Sequence, residues 1–215
     1  MKRIISVTVL LTLLIFASCD SEQARNERLA QAEQQRIELE QKRAVEEKAE
    51  VIRLEQVRIE EEKQAEIERK DKEIYDKYIS NSLRTGTTPY FLYYGGNSSC
   101  NDYGCSKIKV TTSNSDVVVT IKKNDKVVRH AFIQAGDNYS FSFPNGTYQA
   151  FFYYGKGWNP EKEMKGGKMK GGFITNEDFG KDDPQSLFNN VLTYELIMQQ
   201  NGNFSTRPSN PEEAL

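Results

Sequence analysis

Between Ser21 and Ser82 the chain carries neither glycine nor proline. Glu, Gln, Lys, Arg and Ala fill most of the stretch, and all are good helix formers. So long a run without a breaker predicts one helix over 21–82, a rod of roughly 90 Å at 1.5 Å per residue. From Ser21 to Ser80 there are 17 acidic and 13 basic residues. Many are spaced to pair: Glu38–Lys42, Glu66–Lys70, Glu68–Lys72 and Glu73–Lys77 at i,i+4, and Glu33–Arg36, Glu40–Arg43 and Glu50–Arg53 at i,i+3.

The apolar residues leave two readings of this rod. Ile37, Ala44 and Val51 recur at seven, as do Val45, Ile52 and Ile59, and Ile67 and Ile74; Leu54 and Val57 add to the seam. Glu40 and Glu47 interrupt it, whereas a coiled coil needs both a and d apolar over several heptads. A weak parallel coiled coil, giving a weak homo-oligomer through the helix, and a solitary charge-stabilised spacer both fit. The seam is richest at Ile74, Tyr75, Tyr78 and Ile79, which suits that end to dock on the C-terminal region.

Ahead of the helix, Met1-Lys2-Arg3 is a basic start, and Ile4 to Phe16 is apolar and uncharged. A spanning helix needs about 20 such residues, while a secretory signal needs about 7–15. The segment Phe16-Ala17-Ser18-Cys19 resembles the lipobox of bacterial lipoprotein signal peptides, with Phe16 where Leu is usual. That resemblance implies a signal peptide over 1–18, cleavage before Cys19, and lipid on its sulfur, with the lipidation site at 19–20. Two or three acyl chains hold a protein firmly where one does not. The implied location is the cell envelope, on the outer membrane in preference to the inner. An uncleaved membrane anchor is the competing reading.

The 215-residue chain has a net charge of −2, and losing Lys2 and Arg3 takes it to −4. A nucleic-acid binder needs a basic face, so no nucleic-acid partner is expected. With Cys19 lipidated, Cys100 and Cys105 remain. An even pair in an exported chain reads as a disulfide. A reactive dithiol, or a metal site recruiting His130, are the alternatives. No cofactor is implied.

Leu83 to Pro89 contains the Gly86 and Pro89 that break helices, and reads as the linker between domains. Tyr90 to Phe204 reads as β. Strands are expected at Tyr90–Tyr94, Ile108–Thr112, Asp116–Lys122, Val127–Ile133, Tyr139–Phe143, Tyr148–Tyr154 and Leu192–Met198, with turns at Lys123–Lys126, Gln134–Asp137, Pro144–Gly146 and Asn201-Gly202. Glu161–Gly172 reads as a flexible loop and Ser205–Leu215 as a disordered tail. The fold class is α + β in separate regions: a long N-terminal helix, then an antiparallel β-sandwich.

Within Gly136–Tyr148, an alternating aromatic strand runs into Pro144-Asn145-Gly146-Thr147-Tyr148. This resembles part of the transthyretin-like and carboxypeptidase-regulatory-like β-sandwiches, which implies that Tyr148 re-enters the core after the corner. The C-terminal block, with Tyr153–Trp158, also resembles a domain of small Bacteroidota lipoproteins. Neither resemblance implies catalytic residues.

The chain lacks the Gly-x-Ser-x-Gly elbow, HExxH and the phosphate-loop pattern. His130, the one histidine, is expected on a strand face with Val128 and Phe132, in a structural role. Glu161, Glu163, Glu177, Asp178, Asp182 and Asp183 fall in expected loops, and no pairing across a cleft is readable from spacing. No catalytic and no metal-binding residue is therefore named. Tyr90, Phe91, Tyr93 and Tyr94, then Phe151–Tyr154 and Trp158, are dense for one domain. Neighbours on a strand face opposite ways. Either both faces are covered, or Tyr93, Tyr94, Tyr153, Tyr154 and Trp158 contribute to a stacking surface for glycan or peptide.

These readings converge on a non-catalytic, lipid-anchored envelope protein that presents a β-sandwich to an envelope protein partner. A glycan- or peptidoglycan-binding module is the alternative, and an envelope hydrolase comes third.

Overall fold

The computed structural model describes the backbone of residues 2–100, 103–197 and 207–215, and side chains within those ranges from Glu22 onward. Cys19, Met198, the Asn201-Gly202 turn and residues 205–206 lie outside the described residues or side chains. The chain divides into two units, Met1–Glu68 and Arg69–Leu215.

The first unit belongs to helix α1 (Lys2–Tyr78). Its side chains are exposed from Glu22 to Ala65. Glu33–Arg36 and Glu50–Arg53 pair at 2.8 and 2.7 Å, whereas Lys42 meets Glu46 at 4.0 Å, on the turn after its own, and not Glu38 on the turn before. Arg58 joins Glu55 and Glu62 at 2.6 and 3.0 Å. Exposed pairs of this kind are screened by water and contribute little to stability. At 100° per residue, Leu39 and Val57 fall on the side of the helix opposite Ile52 and Ile59, so the apolar residues are not gathered on one face. Among the described residues, no helix is long and apolar enough to cross a membrane.

The second unit starts with the last turns of α1, so the expected boundary at 83–89 falls inside it. The helix stops at Tyr78, not Ser82. There the chain turns to bond the sheet: Trp158 N–H donates to Asn81 C=O at 2.8 Å, and Asn81 Nδ2 donates to Trp158 C=O at 2.6 Å. The close approach needs Gly155 and Gly157. A Cβ on Gly155 would lie 2.3 Å from the Phe173 ring, and one on Gly157 (φ +75°) 2.8 Å from Tyr78 C=O.

Strands β1 (Cys105–Thr112), β4 (Asn138–Pro144) and β8 (Val191–Leu196) form a three-stranded sheet in the order β4-β1-β8. β1 and β8 run parallel, the exception to an otherwise antiparallel fold. The larger sheet has the order β3-β2-β5-β6-β9, with β7 also on β5. Its strands are β2 (Asp116–Lys123), β3 (Lys126–Ile133), β5 (Gly146–Met164), β6 (Met169–Lys181), β7 (Gln185–Leu187) and β9 (Arg207–Pro208). The β2–β3 connection is two residues, Asn124 and Asp125, both at positive φ (51° and 60°). Asn and Asp tolerate that conformation, which matches the twist of a hairpin.

Alternation gives the larger sheet two apolar faces. Val117, Val119, Ile121, Ala131, Ile133, Ala150, Phe152 and Tyr154 pack against the three-stranded sheet as the sandwich core. Val118, Phe132, Phe151, Tyr153, Trp158 and Phe173 face the other way into a second core. The Pro144 corner closes the sandwich: Tyr148 stacks on Phe143 at 4.3 Å and its hydroxyl donates to Pro144 C=O at 2.6 Å. This is the hydrogen bond of a tyrosine corner.

Besides the earlier end of α1 and the strands over 173–181 and 185–187, four segments differ from the sequence reading, and three of them build the second core. Tyr90–Tyr94 is not a strand but a turn followed by the one-turn helix α2 (Phe91–Tyr94). The fourth-residue bonds Tyr94 N–H to Tyr90 C=O, and Gly95 N–H to Phe91 C=O, define it. Glu161–Gly172 is the end of the β5–β6 hairpin, turned by Lys165, Gly166 and Gly167 at positive φ, with Met164 opposite Met169. The tail is ordered over 207–215: β9 extends β6, and helix α3 (Pro211–Ala214) buries Ala214 and Leu215 in the second core. The fourth change is a bulge at Val128, skipped between the Ile121–Arg129 and Lys122–Val127 pairs. It places Val128 against the sandwich core, while Phe132 faces the second one.

Candidate functional site

The second core carries an exposed run of adjacent apolar and aromatic residues, Phe91 to Tyr93. Tyr90 anchors it: fully buried, its hydroxyl donates to Gly171 C=O at 3.0 Å, and its ring lies against Trp158 and His130 at 6.1 and 6.0 Å. Its backbone N–H donates to His130 Nε2 at 3.2 Å. His130 is 1% exposed, and burial in this aromatic surround pushes its pKa down to about 4, weakly opposed by a hydrogen bond to the Thr88 backbone. With Nε2 accepting, the ring is neutral and held by backbone groups on both sides. The expected structural role of His130 matches this geometry.

With Tyr90 fixed, α2 turns its remaining aromatics outward. Phe91 is 58% exposed, Leu92 90% and Tyr93 45%. Tyr94, one turn from Tyr90, is half-buried, and its hydroxyl donates to Leu215 C=O. Beside this tip lies a groove of about 660 Å3, lined by Tyr93, Tyr94, Phe151, Gln149, Lys122 and residues of α3. Lys122 Nζ sits 4.8 Å over the Phe151 ring and donates to Glu213 C=O. Burial, then Lys165, lowers its pKa. Lys181 pairs with the Glu213 carboxylate and holds its pKa down.

The five aromatics expected at a stacking surface do not come together. Tyr153, Tyr154 and Trp158 are buried. Tyr154 belongs to the sandwich core and the other two to the second core, because neighbours on β5 face opposite ways and both faces are covered. Tyr153 stacks on Phe179 at 4.3 Å, accepts from Phe173 N–H at 2.8 Å and donates to Glu177. Tyr93 and, in part, Tyr94 reach the surface. Phe91 and Leu92 join them, signalled only by their place beside Tyr93.

The remaining candidates serve the scaffold. Cys100 and Cys105 are joined by a disulfide, and Cys100 N–H donates to Ser142 Oγ at 3.0 Å. Glu177 is bridged to Lys162, Asp182 accepts from Tyr194 OH at 2.8 Å, and Asp183 pairs with Arg207 at 2.9 Å. Asp178 caps Phe179 N–H at 2.9 Å, Tyr78 OH donates to Glu161 at 3.4 Å, and Glu163 lies near the Gly167 turn. Glu161, Glu163, Glu177 and Asp178 stand on strands, not in loops. A polar groove of about 780 Å3 opens where the chain leaves α1, and there Ser82 Oγ donates to Asp116 at 2.7 Å. Among the described residues, no three His, Cys, Asp or Glu side chains gather in a metal-binding arrangement.

The α2 tip can therefore offer apolar and aromatic area beside a groove of mixed charge, which is the chemistry of a contact surface. No family model, curated protein or solved structure matches the chain.

Proposed function

We propose that this chain is a lipid-anchored cell-envelope protein that carries a non-catalytic β-sandwich interaction domain on a helical spacer. Anchoring through Cys19 rests on the lipobox-like Phe16–Cys19 segment. The interaction role rests on one observation. Among the exposed aromatics of the domain, which include Tyr103 and Phe188, Phe91 and Tyr93 stand together with Leu92 on adjacent positions of a pinned one-turn helix. Contiguous exposed apolar area marks interaction sites, and the partner favoured is an envelope protein with a complementary apolar patch. The disulfide fits an oxidising compartment.

Two measurements test this reading. Intact mass of protein taken from membranes gives a chain starting at Cys19 with added acyl mass, lost in Cys19→Ala; a retained, unlipidated N-terminus overturns the anchor. Affinity capture from envelope extracts recovers a partner that is lost with Leu92→Glu; capture unchanged by that variant overturns the tip. A second reading, binding of glycan or peptidoglycan, draws on the half-exposed Tyr93 ring beside Gln149 in the groove. Sedimentation with insoluble cell wall, abolished by Tyr93→Ala, would favour it.

A further inference from the structure

A β-sheet edge presents unpaired N–H and C=O groups, and proteins cover or charge their edges to avoid unwanted pairing. This chain covers the edge of β3 group by group. Phe132 exchanges backbone bonds with Gly86 and Thr87, both 2.8 Å. The Asn97 side chain accepts from His130 N–H at 3.0 Å and donates to its C=O at 2.8 Å. Thr85 Oγ1 accepts from Gln134 N–H at 3.1 Å. Arg129 donates to Val128 C=O at 2.6 Å and, across on β4, to Ser142 C=O at 3.2 Å.

Strand β8 is treated differently. Its inner side is fixed, since Lys107 N–H donates to Asn190 C=O and Ser113 N–H to Leu196 C=O, at 2.9 and 3.2 Å. The even-numbered residues therefore bond β1, and Val191, Thr193 and Glu195 turn their backbone groups to the open edge. Among the described residues, none bonds those groups. Their side chains are exposed on the outer face, while Leu196 is buried beneath and Leu192 and Tyr194 pack against the sandwich core. The strand holds no Lys and no Pro, the usual protections of an edge.

We propose that two copies of this chain associate through β8, pairing antiparallel edge to edge into one continuous six-stranded sheet. The charges select a second copy. Centred on Thr193, the pairing sets Val191 opposite Glu195 of the other copy, so no like charges meet. Lys107 stands beside Val191 on the same exposed face. It lies two strand spacings, about 10 Å, from that Glu195 backbone, a gap that a lysine and a glutamate side chain close together. The two-fold axis repeats the contact. The inference is independent of the anchor and of the α2 tip.

Full-length protein in detergent, followed by sedimentation equilibrium across a concentration series, reads the association directly. The expected result is a monomer–dimer equilibrium. Thr193→Pro removes one outward N–H, leaves the β1 ladder intact, and weakens dimerisation at least tenfold. Val191→Glu, which opposes two carboxylates, does the same, and adding Glu195→Lys restores the dimer. Circular dichroism confirms that the variants stay folded. A chain that is monomeric throughout overturns the proposal, including the case where hydrogen exchange finds the Val191, Thr193 and Glu195 amides protected by the chain itself. A dimer indifferent to Thr193→Pro but lost with Ile52→Glu also overturns it, in favour of pairing through α1.

Discussion

The backbone N–H of Tyr90 donates to His130 Nε2, and this one bond ties the exposed α2 tip to the edge strand of the larger sheet. Protonating Nε2 would break it and place a charge between the Tyr90 and Tyr94 rings. Burial holds the folded pKa at about 4, below the ordinary 6.5. The unfolded chain binds the proton more readily, so stability is full above about pH 6.5 and falls as the pH drops toward 4. At about 1.4 kcal/mol per unit, the His130 contribution amounts to about 2 kcal/mol lost by pH 5. Urea unfolding at pH 7 and pH 5 checks this. His130→Gln should flatten that part of the profile, and a profile unchanged by it would show the loss to come from other groups.

Tyr148 closes the corner through its hydroxyl bond to Pro144 C=O. Tyr148→Phe keeps the ring stacked on Phe143 but leaves that carbonyl unbonded. The expected cost is about 1–2 kcal/mol, read as a lower urea midpoint with an unchanged slope.

Such local devices were legible in the sequence. Alternation in Tyr139–Phe143, the Asn124-Asp125 turn and the Tyr148 corner are all nearest-neighbour patterns, and each stands in the fold. The second core was not legible, because its layers come from remote stretches. Polar Ser205–Leu215 looks like a free tail. Yet its residues 207–215 are held by side chains donating to the backbone: Thr120 to Ala214 C=O at 2.6 Å, and Lys122 to Glu213 C=O. No hydrophobic pattern records such acceptors. Aromatic Tyr90–Tyr94 has strand propensity, so its turn of helix is not readable from the sequence. Without these layers, the sequence leaves open whether both faces of the aromatic strand are covered; the structure buries Tyr153, Tyr154 and Trp158 and leaves Tyr93 and part of Tyr94 at the surface.

Gly155 has no room for a methyl group, because a Cβ there would meet the Phe173 side chain at 2.3 Å. Gly155→Ala must push Phe173 from its edge-on contacts with Trp158 and Tyr153 at 5.3 and 4.9 Å. Overpacking of this kind costs about 1–3 kcal/mol. Near-ultraviolet circular dichroism should show the Trp158 environment change together with a lower melting temperature. A variant as stable as the parent would show that β5 can shift at this bend.

Asn97 shields two backbone groups with one side chain, bonding both the N–H and the C=O of His130. Asn97→Ala leaves both groups on an otherwise covered edge, at about 2 kcal/mol for the pair. The effect should be local as well as global: exchange of the His130 amide accelerates more than that of Val119, inside the sheet. Asn97→Asp retains an acceptor for the N–H but loses the donor to the C=O, so it should fall between parent and alanine variant. If instead Asn97→Ala leaves both stability and His130 exchange unchanged, water satisfies this edge as well as the side chain does. The contrast between a covered β3 and an open β8 would then lose its physical basis.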